Sequence, residues 1–314
     1  MKKFFIKFLF LVVTLFVVIG GLNYFYTQTN YWKNGIIGEV IKFKNVPEHI
    51  QIANVGSSHG RNAFDYSHVS YQSFNFAISG QRFLYDYAIL KQYINRFDKN
   101  AVLIVPISYF QITRIKTNFS DQRIKYYHFL NKRYMDFYSI QEKILTLFPV
   151  LTTRDPLKFI INENRSVAKL KTMTESELFE YCVNKHKSWT TDNDFEFEMG
   201  EEGIAYNKDL VSRMIEFCYA NDIQPVLVST PITSILNNVY NKKSPQFFSE
   251  FYRFTRELQE ASPSLLYFDY SHDPRFENDF SLFSDGDHLN TAGAEKFIAI
   301  IIHDLQESGL LPMP

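Results

Sequence analysis

The chain has 314 residues, 46% of them hydrophobic, with 33 basic and 34 acidic side chains and a net charge of −1. Length and apolar content suffice for one large α/β domain with an insertion, or two small domains. The near-zero charge supplies no broad basic field, so no nucleic-acid partner is expected. The two cysteines, Cys182 and Cys218, sit in neither a CxxC nor a Cys/His metal spacing. They fit either one disulfide in an oxidising compartment or two core thiols.

The amino terminus carries Lys2, Lys3 and Lys7, followed by an apolar run over 8–22 broken only by Thr14 and Gly20-Gly21. Taken back to Phe4, it is long enough to cross a hydrocarbon core of about 30 Å. Tyr24, Phe25 and Tyr26 follow where an aromatic belt belongs, and the lysines favour a cytoplasmic N-terminus with the body outside. A cleaved signal peptide is the alternative, but the aromatic flank is a poor cleavage site. Residues 1–26 are therefore expected to be a retained transmembrane anchor at the cell membrane. The polar stretch 27–48 reads as a spacer.

A buried strand is expected over 50–55, running into Gly56-Ser57-Ser58-His59-Gly60-Arg61, a sharp turn with a short helix over 61–69. An alternating strand over 73–78 ends at Ser79-Gly80-Gln81. Apolar residues then recur at helical spacing over 83–97. The continuous apolar run 101–107 marks a strand covered on both faces. Residues 112–203 lack this alternation and read as a largely helical insertion, a lid over the sheet edge. Its basic aromatic stretch 123–138 fits a solvated helix face or a grip on an anionic polymer or lipid headgroups. Beyond it come a helix over 207–220, a strand over 225–228, a helix opened by Ser244-Pro245, a strand over 265–270 and a closing helix over 292–308. Asn290 or Thr291 would cap the last helix. Such alternation specifies a parallel five-stranded sheet in a three-layer α/β sandwich occupying 49–314.

Chemistry-bearing residues fall at strand exits, where open α/β sheets bind ligands. Serine needs a base to act as a nucleophile, and a carboxylate to orient that base. Ser58 follows the first strand. Asp285-Gly286-Asp287-His288, in the loop after the last strand, places a carboxylate three residues before a histidine. Ser58, His288 and Asp285 form the expected triad, with Ser57 the rival nucleophile and Asp287 the rival carboxylate. His59 and Arg61 are candidates for substrate contact. No histidine pair has metal-site spacing, and no GxGxxG or GxxxxGK[ST] occurs, so no metal and no cofactor is expected.

These blocks resemble the SGNH/GDSL hydrolase superfamily over 49–110 and 204–308. Ser58 falls at the nucleophile position, with Ser57 in place of the usual aspartate. Phe76-Ala77-Ile78-Ser79-Gly80 matches the second block, and Asp285-x-x-His288 with Leu289, Gly293 and Phe297 matches the last. The resemblance implies an oxyanion hole on the N–H groups of Ser58 and Gly80. The third-block Gly-x-Asn is replaced by Pro106-Ile107-Ser108-Tyr109, so Ser108 would stand in for the asparagine. An anchored member with a GSSH-type first block is similar to exopolysaccharide O-acetylation proteins and to the teichoic-acid D-alanyl transfer protein. That likeness implies serine-dependent acetyl or D-alanyl transfer onto a cell-envelope polysaccharide or teichoic acid, beside a multi-span membrane-bound O-acyltransferase. An esterase or deacetylase with the same triad, and a non-catalytic polysaccharide-binding scaffold, are the alternatives.

Overall fold

A computed structural model of the chain describes residues 1–109, 111–112, 123–153, 155–161, 173–191 and 201–313. It divides into two compact units, residues 1–45 with 117–169 and residues 46–116 with 170–314. Parts of the expected insertion lie outside the described residues.

The second unit is built on a five-stranded, all-parallel sheet in the order β2-β1-β3-β4-β5. Its strands are β1 (Ile50–Asn54), β2 (Ser73–Asn75), β3 (Phe97–Pro106), β4 (Gln224–Ser229) and β5 (Leu266–Asp269). Helices cover it: α3 (Ser58–Ala63), α4 (Phe83–Tyr93), α8 (Glu201–Tyr219), α9 (Ser234–Lys243) and α10 (Gln246–Ala261) in the crossovers, and the closing α11 (Thr291–Glu307). The core beneath α11 brings Ile52, Val102, Ile104, Val226 and Val228 from the strands against Phe297 and Ile301. The central strands are buried on both faces, which is why they read as unbroken apolar runs. Because β1 lies between β2 and β3, the loops after those two strands flank the loop that carries Ser58.

The first unit contains α1 (Lys2–Gln28), α2 (Ile37–Ile41), α5 (Ile140–Leu145) and α6 (Pro156–Ile161). Helix α1 is long and apolar enough to cross a membrane. Residues 27–48, expected as a polar spacer, are largely helical. Trp32, Val40 and Phe43 are buried there, and Trp32 joins Tyr26 and Val150 in a small cluster. Those scattered apolar residues, not the average polarity, decide the local structure.

Further elements differ from expectation, among them strand β2, which ends at Asn75 rather than 78, and helix α8, which begins at Glu201 rather than 207. Helix α3 begins at Ser58 rather than 61 and ends at Ala63. Ser57 is extended, at φ −86° and ψ −156°, and the Asn75 side chain donates to the carbonyls of Gly60, Arg61 and Phe64, taking up groups a longer helix would need. Strand β3 starts at Phe97, because the chain pairs with β1 again across an irregularity between Ile50 and Ile52. Helix α9 had no sequence signal. Its Leu236, Val239 and Tyr240 are buried together with Asn237, but Asn237, Asn238 and Asn241 are weak helix formers.

Candidate active site

The turn after β1 is shaped by Gly56, whose φ of +113° suits glycine. A Cβ there would also meet the Pro106 ring at 3.1 Å. The Gly56 N–H donates to Asp86 Oδ1 at 2.7 Å, and Gln81 Nε2 donates to the same oxygen at 2.6 Å. One buried carboxylate thus ties the Ser58 turn to the loop that bears Gly80. Burial pushes the Asp86 carboxyl up to about 7, against the pull of the two donated hydrogen bonds. Nothing in the sequence marked Asp86 or Gln81 beyond their place on a predicted helix and turn.

Ser58, the first residue of α3, is half-buried. Its hydroxyl lies 2.8 Å from His288 Nε2. His288 Nδ1 lies 2.9 Å from both oxygens of Asp285. Asp285 Oδ1 also accepts from the backbone N–H groups of Asp287 and His288, at 3.1 and 3.0 Å. The carboxylate therefore folds its own loop and fixes the ring tautomer that leaves Nε2 facing the serine. The loop is closed by the Phe283–Leu289 bridge and by Ser284 N–H donating to His288 O at 2.8 Å. Thr233, which caps α9, donates through its N–H and its hydroxyl to Gly286 O at 3.0 and 2.9 Å. A Cβ at Gly286 would meet Cys182 Sγ at 2.7 Å, so a larger residue there would force the thiol to shift.

Asp287 does not play the part of a mere rival to Asp285. It is 2% exposed, pairs with the Lys185 ammonium, and sits 3.1 Å from His288 Nδ1 and 3.1 Å from His59 Nε2. Lys185 and Tyr181 come from α7 (Glu175–Thr191), a helix within the stretch read as an insertion. Tyr181 donates to Asp285 Oδ2 at 3.0 Å. One helix face, spaced i and i+4, therefore holds both carboxylates of the loop. No sequence pattern linked that helix to a loop about a hundred positions away.

His59 is one of the two candidates for substrate contact. It is instead 7% exposed, with its ring stacked on that of His288 at a centroid distance of 4.6 Å. Its Nδ1 lies 3.3 Å from Ser57 Oγ. Burial in this packed array removes it from direct substrate contact. Ser57, the rival nucleophile, faces His59 rather than His288.

The electrostatics divide the two imidazoles. For His59, burial pushes the pKa down to about 4 despite Asp287. For His288, burial acts downward but is outweighed by the Asp287 charge and by hydrogen bonds donated to Asp285 and Asp287, which carry it up to about 9. Burial raises the Asp287 carboxyl, yet Lys185, His288 and His59 together hold it well below the usual range.

Gly80 lies after β2 with φ +71°. Ser108 lies after β3, its hydroxyl buried and without a hydrogen-bond partner among the described residues. Arg61 lines an open groove of about 630 Å³ with Ser58, Asp65, Asp285, His288 and Thr291. Both cysteines are buried free thiols. The ligating atoms of His59, Asp287 and His288 lie within 4.8 Å of one another. Lys185 already supplies the cation at Asp287, and a metal ion would have to displace it or share its charge. The donor set therefore fits a hydrogen-bonded array better than a metal centre.

No protein-family model matches the chain, and no curated protein matches it in sequence. Among solved structures, the chain is similar to a GDSL-like lipase from Bacteroides thetaiotaomicron, at 12% identity and a TM-score of 0.42, covering 87% of this chain and 98% of that one. It is also similar to a presumptive acylhydrolase from Bacteroides fragilis, at 12% identity and a TM-score of 0.40, covering 87% and 95%. At such identity and overlap the likeness is coarse, and the chemistry has to be argued from the chain's own geometry.

Proposed function

We propose that the chain is a serine acyl-transfer enzyme of the SGNH type, working at the outer membrane surface on a hydroxyl-bearing envelope polymer. The observation that carries this is the continuous path from Ser58 Oγ through His288 to Asp285, at 2.8 and 2.9 Å. His288 Nε2 takes the Ser58 proton as Oγ attacks the carbonyl of an acyl donor. The oxyanion that forms is met by the N–H groups of Ser58 and Gly80. The buried, unpartnered Ser108 hydroxyl is the third donor, in the place of the absent asparagine. A lost oxyanion donor costs about 3 kcal/mol of transition-state stabilisation, so the replacement matters. His288 then protonates the leaving group, and the acyl group stays on Ser58 as an ester. An acceptor hydroxyl gives its proton to His288, attacks the ester carbonyl and leaves with the acyl group, restoring Ser58.

Transfer rather than hydrolysis is supported by the membrane-length helix, which would hold Ser58 beside an envelope acceptor and a membrane-bound acyl-donating partner. The open groove at Ser58 is the observation that favours hydrolysis, because water enters it freely. The two are separated by incubating the full chain in detergent with an aryl acetate and a saccharide acceptor. Transfer predicts an acylated saccharide that disappears in Ser58→Ala. Acetate release at full rate with no acylated saccharide from any acceptor would overturn the transferase and leave the esterase.

A further inference from the structure

Among its described residues, the first unit carries an exposed apolar surface. In α5, Ile140 and Ile144 are 59% and 53% exposed; in α6, Leu157 and Ile161 are 54% and 76% exposed. Each pair is spaced i, i+4, so each helix turns one apolar stripe outward. Leu147, between the helices, is 67% exposed. Isolated exposed apolar residues are ordinary on a soluble surface, but several on consecutive short elements mark an interaction face.

What covers that face follows from where it is tied. The Asn23 amide donates to Leu147 O at 3.1 Å, and Asn23 Oδ1 accepts from Val150 N–H at 3.3 Å. Thr153 donates to the Tyr26 hydroxyl at 2.7 Å, and Tyr31 stacks on Phe159 at 3.8 Å. These polar and stacking tethers fall at residues 23–31, the carboxyl end of α1 and the turn beyond it, and Ile19, Trp32 and Ile37 pack with Val150, Phe159 and Ile160 in one apolar cluster. The apolar part of α1 from Phe4 to Leu22 spans about 27 Å at 1.5 Å per residue, close to a hydrocarbon core. With α1 taken as the membrane-spanning helix of the proposed function, on which this inference rests, Asn23 falls at the membrane boundary, where Tyr24 and Phe25 are also exposed. Leu147, bonded to Asn23, stands at the same height.

We propose that α5, α6 and the turn between them form an interfacial membrane-docking face, lying in the headgroup and acyl boundary beside the transmembrane helix. Its occupant is the lipid bilayer. Exposed Lys158, next to Leu157, suits this position, since lysine can bury its stem along apolar surface and raise its ammonium to lipid phosphates. The face is an amphipathic, in-plane addition to the membrane-spanning helix that the proposed function assigns to α1.

The test places an environment-sensitive fluorophore at Ile144→Cys or Ile161→Cys in the full chain. The purified protein is reconstituted into phosphatidylcholine–phosphatidylglycerol vesicles containing lipids with a nitroxide just below the headgroup. The same labelled protein in nitroxide-free vesicles, mixed with separate protein-free vesicles that carry the nitroxide lipid, is the reference. Quenching at 144 and 161 about twofold or more above the reference is expected for groups in the acyl boundary. Quenching no greater than at the reference overturns the proposal. Protection seen only in native membranes overturns it in favour of a protein partner. The double variant Leu147→Glu/Leu157→Glu changes exposed side chains only, so it should keep the melting temperature and lose the quenching at 161. Undiminished quenching there would also overturn the proposal. None of these readings depends on catalysis, so they stand or fall apart from the acyl-transfer mechanism.

Discussion

Replacing Asp287 by asparagine removes the negative charge 3.1 Å from His288 Nδ1 while keeping the size of the side chain. The rise of His288 from 6.5 to about 9 amounts to about 3 kcal/mol in favour of the imidazolium. A base with a pKa near 9 is about 1% neutral at pH 7, so acylation of Ser58 should gain rate up to high pH. With Asp287→Asn, the acid limb of kcat/KM should fall by about 1 to 3 pH units. The single variant leaves Lys185 buried without its partner, which costs about 3–5 kcal/mol. Lys185→Met alone exposes His288 to an uncompensated Asp287 and should move the limb upward, whereas Lys185→Arg should leave it in place. The double variant Asp287→Asn/Lys185→Met removes the stranded charge and should keep the lowered limb. Folding is linked with a defined sign. A raised histidine pKa stabilises the folded state fully below pH 6.5, and that contribution is lost as pH rises through about 9. The assay is the pH dependence of Ser58 acylation, paired with a melting curve for each variant. A limb that does not move in Asp287→Asn, or that moves the same way in Asp287→Asn and Lys185→Met, would refute this electrostatic reasoning.

Other expected outcomes concern the supports of the site. Asp86, raised from 3.8 to about 7, disfavours the folded state increasingly as pH climbs through that interval, by about 4 kcal/mol at most before the α4 helix dipole offsets part of it. Asp86→Asn retains the acceptor for Gly56 and Gln81, so its melting temperature should exceed wild type at about pH 8 and vary less with pH; an unchanged pH slope would contradict the buried-acid assignment. Gly286→Ala forces a Cβ against Cys182 Sγ and should destabilise by about 1–3 kcal/mol with a larger fall in kcat, read by calorimetry and steady-state kinetics. Tyr181→Phe removes one of several hydrogen bonds to Asp285 and should lower kcat about fivefold with KM unchanged, a cost of about 1 kcal/mol; a loss as deep as that of Ser58→Ala would mean that Tyr181 touches the reacting atoms.

The sheet was legible because parallel strands buried on both faces are written as continuous apolar runs, as in 101–107. Helix α9 was not legible, because its buried apolar residues stand among asparagines whose cost is met by tertiary packing. Ser58, His288 and Asp285 could be singled out because triad chemistry demands those side chains at strand exits, and Asp285 is three residues from the histidine it faces. The array behind them could not. Asp287, His59, Lys185 and Tyr181 meet through contacts across more than a hundred positions, and neither spacing nor composition encodes such a meeting. His59 shows the same limit in reverse: beside a nucleophile in sequence, it points into the interior and braces the base.

The most direct test of the central claim is covalent capture at Ser58. The full chain is treated with a fluorophosphonate, digested and mapped by mass spectrometry, with Ser57→Ala, Ser58→Ala and His288→Ala beside wild type. The account predicts a single adduct on Ser58, retained in Ser57→Ala, absent in Ser58→Ala and slowed by a factor of about a thousand or more in His288→Ala. An adduct on Ser57, or labelling of Ser58 at an equal rate without His288, would contradict it.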